Sequence, residues 1–195
     1  MNFSRWVLKA LTIAALAVGN IGFANDLTAD RPLPRIGKAP DFTLTSQNGA
    51  ALSLADLRGT PVVVTFIFTT CRSTCPVLTS KLVAIQRRVS GAAKPTVFFV
   101  AITVNPETDT PEILKAYAKT HGADLRSWAF LTGPPASIND VARRYAVFQK
   151  KRSADDIEHT FLTSLIDAKG VLRVQYQGVE FNEEEFIADL HALAK

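Results

Sequence analysis

Between Asp41 and Leu54 two short extended runs flank Gln47-Asn48-Gly49, and Asn-Gly is a strong hairpin signal. Asp56-Leu57-Arg58-Gly59 then turns into PVVVTFIF, residues 61–68. That continuous β-branched run suits a central strand buried on both faces. The period changes after it: Leu78, Leu82, Ile85 and Val89 recur at helical spacing, with Lys81, Arg87 and Arg88 between them. Pro76 fits the first turn of that helix, where its missing N–H costs nothing. TVFFVAITV, residues 96–104, predicts a second buried strand. Thr110-Pro111-Glu112 opens a helix that carries Ile113, Leu114 and Tyr117 and ends near Gly122. WAFLTG, residues 128–133, is a third, shorter strand, and Ser137 is expected to cap a helix bearing Ile138, Val141 and Tyr145. FLTSLID and VLRVQYQ, joined at Ala168-Lys169-Gly170, read as an antiparallel hairpin. Asn182, followed by three glutamates, caps a last helix with Phe186, Leu190 and Leu193 on one face. Strands alternating with helices predict an α/β domain with a mixed, largely parallel central sheet flanked by helices, an N-terminal hairpin and antiparallel strands at one edge.

The N-terminus follows a different logic. MNFSRWVLK is basic, ALTIAALAV is apolar, and Gly22-Phe23-Ala24 sets small residues three and one positions before Asn25. This is the layout of a secretory signal peptide cleaved after Ala24. An uncleaved membrane anchor is the competing reading, but Gly19 and Asn20 interrupt the apolar run that a span needs. Residues 1–24 are therefore assigned to the signal, 25–39, with Pro32 and Pro34, to a linker, and 40–195 to one domain. Export places that domain in a compartment that permits disulfides, the periplasm. The formal charge is +4, of which Arg5 and Lys9 supply two; the rest of the chain holds 20 basic residues against 18 acidic. The basic groups Arg87-Arg88, Arg143-Arg144 and Lys150-Lys151-Arg152 read as solvated faces, and nothing points to nucleic acid.

The chain has only two cysteines, Cys71 and Cys75, in TFIFTTCRSTCP. A loop with three intervening residues removes little unfolded-state entropy, so a structural staple explains them poorly. They follow the carboxyl end of a core strand and open a helix, the place where ligand sites gather in α/β sheets. An i, i+4 spacing on a helical turn puts both sulfurs on one side, within reach of a Cys71–Cys75 disulfide or of one soft metal ion. The helix N-terminus, and Arg72 if it points inward, favour the thiolate. Of the three histidines, His121 precedes Gly122 at a helix end and is expected to cap carbonyls. His191 is expected to be exposed, and His159 stands in DDIEHTFLTSLID at the start of a strand that should join the same sheet.

TFIFTTCRSTCPVL, VAITVNPETDTPEILKAY, FLTGPPASINDVARRYAVF and EHTFLTSLIDAKGVL, in that order, resemble the Sco/SenC family, thioredoxin-fold proteins linked to copper delivery for cytochrome c oxidase. The likeness covers roughly residues 40–174; the opening DFTLTSQNGAALSLADLRGTPVVV is shared with the peroxiredoxin frame. The resemblance implies that Cys71, Cys75 and His159 bind copper, as Cu(I), Cu(II) or both. It further implies a monomer whose partner is a cytochrome c oxidase subunit or another copper chaperone, with membrane association through the N-terminus. Ligand chemistry agrees, since soft sulfurs select Cu(I) and imidazole suits either state. The chain departs from the family pattern at three places. Pro-Asp-Val between the cysteines is Arg72-Ser73-Thr74, Asp-Pro is Asn105-Pro106, and Asp-His-Ser is Glu158-His159-Thr160. A metallochaperone is the first reading. The alternative is a periplasmic thiol–disulfide oxidoreductase in which Cys71 and Cys75 are the redox-active pair and reduce a partner's cysteines. A peroxidase is set aside, because neither the peroxiredoxin threonine-to-cysteine motif nor a glutathione-peroxidase signature is present.

Overall fold

The computed structural model describes residues 32–90, 96–153 and 157–194. The segment 1–24 assigned to the signal lies outside the described residues. Among the described residues the strands and α-helices run β1 (Gly37–Lys38), β2 (Thr43–Ser46), β3 (Ala51–Ser53), β4 (Val62–Ile67), α1 (Thr74–Val89), β5 (Phe98–Thr103), α2 (Pro111–His121), β6 (Trp128–Thr132), α3 (Pro135–Arg144), β7 (Gln149–Lys151), β8 (Ile157–His159), β9 (Leu162–Ile166), β10 (Val171–Gln177) and α4 (Glu183–Leu193).

Eight strands form the central sheet in the order β1-β10-β9-β4-β5-β6-β2-β3. β4, β5 and β6 are parallel and every residue of β4 and β6 is buried, which explains their unbroken apolar runs. β9 joins β4 antiparallel, and the β9–β10 hairpin closes on that side. The β2–β3 hairpin, turned at Gly49 (φ 78°), joins β6 antiparallel on the other. The architecture is thioredoxin-like, as the resemblance implies, and the sheet is mixed. The expectation that it is largely parallel is corrected, because only β4, β5 and β6 run parallel and every other pairing in the sheet is antiparallel. Trp128 lies in the middle of the core, stacked between Phe99 at 5.0 Å and Phe130 at 5.4 Å. Such aromatic contacts add specific geometry to a large buried area.

Helix ends follow local chemistry. Thr110 Oγ1 accepts from the Ile113 N–H at 3.4 Å, Pro111 starts α2, and Gly122 ends it in the left-handed region. Asn182 Oδ1 accepts from the N–H groups of Glu184 and Glu185 at 2.9 and 3.1 Å, opening α4. The expected Ser137 cap is corrected: α3 already begins at Pro135, so Ser137 sits inside its first turn and donates its N–H to the Pro134 carbonyl at 2.9 Å. Pro135, with φ already restricted, nucleates that turn three residues earlier than a serine cap would.

Two further strand features escape the periodicity. Gly37–Lys38, in the segment read as linker, pairs with Leu172 and Val171 of β10. β7 and β8 form a separate two-stranded ribbon, Gln149 opposite His159 and Lys151 opposite Ile157. His159 thus ends this ribbon, and β9, beginning three residues later, is the strand that enters the main sheet. Because β4, β5 and β6 are parallel, the loops that follow them share one edge of the sheet. Cys71 comes from the first of these loops and Asn105–Asp109 from the second.

Candidate metal and thiol site

β4 delivers the chain to this edge through Phe68, and a turn closes from the Phe68 carbonyl to the Cys71 N–H at 3.3 Å. α1 starts at Thr74, so Cys71 stands just in front of the helix and Cys75 in its first turn. Ser73 occupies the N-cap position without a side-chain hydrogen bond to the helix. The Cys71 sulfur takes over that place, accepting from the Cys75 N–H at 3.5 Å. A helix N-terminus leaves several N–H groups unpaired and carries partial positive charge, and an anionic sulfur suits both.

The two thiols differ in surroundings. Cys71 is half-buried and Cys75 fully buried, and both are free. Burial pushes the Cys71 thiol up, but the backbone N–H groups of Cys75 and Ser73 outweigh it and leave the thiol more acidic than usual. Arg72 is exposed, so the acidity comes from backbone donors and not from the inward arginine that the sequence suggested as one contributor. Burial raises the Cys75 thiol far above the ordinary range, and the neighbouring Cys71 sulfur adds to the effect.

His159 is 7% exposed and meets this pair from the β8 end, its Nε2 3.9 Å from Cys75 Sγ. Its Nδ1 lies 3.1 Å from the Thr160 carbonyl, which can only accept, so Nδ1 carries the proton and Nε2 turns its lone pair toward the sulfur. The ring packs against Phe161 at 4.2 Å and edge-on to Phe68 at 5.8 Å. Burial lowers its basicity, partly offset by the Thr160 bond. Cys75 and His159 therefore meet as neutral thiol and neutral imidazole, two groups that can each turn a lone pair to a soft cation once the thiol proton leaves. Among the described residues, no group of three or more His, Cys, Asp or Glu side chains is already gathered as a metal cage. The hydroxyl of Thr70, beside Cys71, is buried without a hydrogen-bond partner, so the site holds an unsatisfied polar atom.

The other expected residues fall elsewhere. His121 bridges α2 to α1, with Nδ1 3.3 Å from Ser80 Oγ and its ring 4.3 Å from Tyr117, and His191 is exposed on α4. Glu158, in the family's acidic position before the histidine, pairs with Arg152 at 2.7 Å. Sequence reasoning missed Asp109. It is fully buried, and its carboxylate accepts from the Thr69 N–H at 3.1 Å and from the Thr69 and Thr103 hydroxyls at 2.5 Å each. It also missed the pair Thr79–Tyr117, whose hydroxyls meet at 3.0 Å one helical turn below Cys75.

A buried thiol–imidazole pair and a more acidic outer thiol thus lie together at the carboxyl edge of a thioredoxin-like sheet. The SCO1/SenC family model matches residues 32–195, and the chain belongs to that family. It is 32% identical over 142 residues to the SCO1 protein homolog of Bacillus subtilis, covering 71% of this chain and 73% of that one. Among solved structures, Bradyrhizobium japonicum ScoI, described as having copper bound, matches with a TM-score of 0.69 and 31% identity over 80% of this chain and 99% of its own. BsSco, described by its disulfide switch and as a member of the Sco family of cytochrome c oxidase assembly proteins, matches with a TM-score of 0.75 and 26% identity over 85% and 99%.

Proposed function

We propose that this protein binds one copper ion as cargo through Cys71, Cys75 and His159 and passes it to a copper-binding subunit of cytochrome c oxidase or to another copper chaperone. The observation that carries this reading is the approach of His159 Nε2 to within 3.9 Å of Cys75 Sγ, in the tautomer that leaves the nitrogen lone pair facing the sulfur. Two sulfurs and one imidazole match soft copper better than zinc, which takes four protein ligands in structural sites. The copper-bound description of Bradyrhizobium japonicum ScoI and the assembly role given for BsSco support it. Arg72-Ser73-Thr74 supplies no acid between the cysteines, so the thiolates themselves provide the attraction for the ion. The half-buried Cys71 is the ligand an incoming partner thiol reaches first.

In this reading residues 1–24 direct export or anchor the protein, residues 40–195 form the working domain in the periplasm, and the domain acts as a monomer. Among the described residues, no helix is long and apolar enough to cross a membrane. The test is copper stoichiometry of the reduced protein. One tightly held copper in wild type, lost or weakened at least tenfold in His159→Ala, supports delivery; equal retention by both removes His159 from the site.

A second reading rests on the asymmetry of the thiols. The Cys71 thiolate attacks a partner disulfide, forming a mixed disulfide and releasing one partner thiolate. Cys75, after losing its proton, attacks the Cys71 sulfur, releasing the second partner thiolate and leaving a Cys71–Cys75 disulfide. Two electrons pass from this protein to its partner. Stoichiometric reduction of a disulfide in a partner peptide by a protein that retains no copper would favour this reading.

A further inference from the structure

Asp109 is a buried acid that neither reading of the site uses. Burying a carboxylate is costly unless donors surround it, and among the described residues no salt bridge reaches this one. Its three donors come from two places. Thr69, two residues before Cys71, gives both its N–H and its hydroxyl. Thr103, at the end of β5, gives a hydroxyl that itself accepts the Asn105 N–H at 2.9 Å. The Asp109 N–H in turn donates to the Asn105 carbonyl at 2.9 Å. The carboxylate therefore has its own loop braced on β5 and takes hold of the turn between Phe68 and Cys71 by a residue forty positions away.

We propose that Asp109 is the positioning residue of the Cys71 thiol: by gripping Thr69 it sets the turn that lays the Cys71 sulfur over the first N–H groups of α1. The proposal deepens the site reading above and rests on Cys71 being its exchanging thiol. Thr69 has little freedom left once its N–H and its hydroxyl are both held by one carboxylate. Cys71 then reaches the Cys75 N–H at 3.5 Å although α1 lacks a serine cap in the usual geometry. A purely electrostatic role would have the opposite sign, because a negative charge here opposes a second one; Asp109 already helps to raise the Cys75 thiol.

The experiment compares Cys71 alkylation in the reduced, metal-free full chain, mapped by peptide mass, in wild type, Asp109→Asn, Asp109→Ala, Thr69→Val and Ile166→Val. Ile166→Val is a core control, remote in chain from both loops, that lowers thermal stability. Asparagine keeps an acceptor for Thr69, so Asp109→Asn should alkylate within about twofold of wild type. Asp109→Ala should slow by about tenfold, the factor carried by one lost hydrogen bond to a charged sulfur. Thr69→Val, which removes one of the two Thr69 contacts, should fall between them, and it carries the test if Asp109→Ala does not fold. The proposal is overturned if Asp109→Ala or Thr69→Val slows no more than the control, or if both Asp109 variants speed alkylation, the mark of a charge effect. Copper plays no part in this readout. A wild type that binds no copper would end the metal reading and leave the positioning role standing, and the reverse result would separate them equally well.

Discussion

At Cys71 and Cys75 two identical side chains, four positions apart, are given opposite characters by a few ångströms of backbone. The outer sulfur leans on free N–H groups and is half in solvent; the inner one is enclosed beside an uncharged imidazole. At neutral pH Cys71 should therefore consume iodoacetamide well before Cys75, by at least tenfold, as time-resolved peptide mapping would show. Equal labelling rates would contradict the asymmetry. The same contrast orders the serine substitutions. Cys71→Ser should leave the urea midpoint nearly unchanged, whereas Cys75→Ser buries a hydroxyl on a shorter bond, out of hydrogen-bond reach of the His159 Nε2 that lies 3.9 Å from the sulfur, and should cost about 1–3 kcal/mol. The spacing and the strand-to-helix placement of the pair are legible in the sequence, but this inequality is not. It depends on where α1 begins, and the missing side-chain cap at Ser73 is a matter of backbone angles that residue types do not announce.

Elements divide by the same criterion, whether their cause is local or distant. β4, α1 and the β9–β10 hairpin are readable because burial on one or both faces imposes a period on the residues themselves. The β7–β8 ribbon is not, since Gln149-Lys150-Lys151 has no apolar alternation and gains its pairing from Ile157-Glu158-His159. That ribbon is nonetheless what presents His159 to Cys75. Asp109 is hidden for a related reason: a polar residue in a loop reads as solvated, and its contacts with Thr103 and with Thr69, from another strand's end, reveal it as core. Turn glycines show how distant contacts grade equal local chemistry. Gly49 and Gly170 both have positive φ, 78° and 75°, and each closes a hairpin. A Cβ on Gly49 would meet nothing within 4 Å, but one on Gly170 would fall 1.1 Å from Arg58 Nη1. Gly49→Ala should cost about 1 kcal/mol, the left-handed penalty alone. Gly170→Ala must also expel the Arg58 guanidinium, and its urea midpoint should fall clearly further; equal losses would mean that Arg58 moves aside freely.

For the whole molecule, the buried groups set how stability varies with pH. His159 holds its imidazole neutral because burial disfavours the charge, and His121 is depressed by burial as well. Unfolded histidine titrates near 6.5, so below that pH the unfolded chain takes up protons that the folded one still refuses. This contribution is fully present above about pH 6.5 and is lost as pH falls toward the lower folded values. Asp167 acts in a second, more acid window. Burial raises its carboxyl, but the Val171 and Lys169 N–H groups and the Arg173 guanidinium, at 2.9 Å, outweigh that and hold it below 3.8. Its contribution persists above the unfolded value and fades as pH falls through the folded one. Melting temperature should thus decline in two steps on acidification, one below about pH 6.5 and one near and below pH 3.8. His159→Gln, which retains a side-chain amide able to donate to Thr160, should flatten the first step without abolishing it, since His121 remains, and should leave the second untouched. Asp167→Asn should do the reverse. Because His159 lies in the proposed copper site, metal added at pH 7.5 should steepen the first step in wild type: a folded state that holds the ion on an unprotonated imidazole has more to lose when that nitrogen is claimed by a proton. A first step unchanged by copper in wild type, or equally steepened in His159→Gln, would place the metal away from His159.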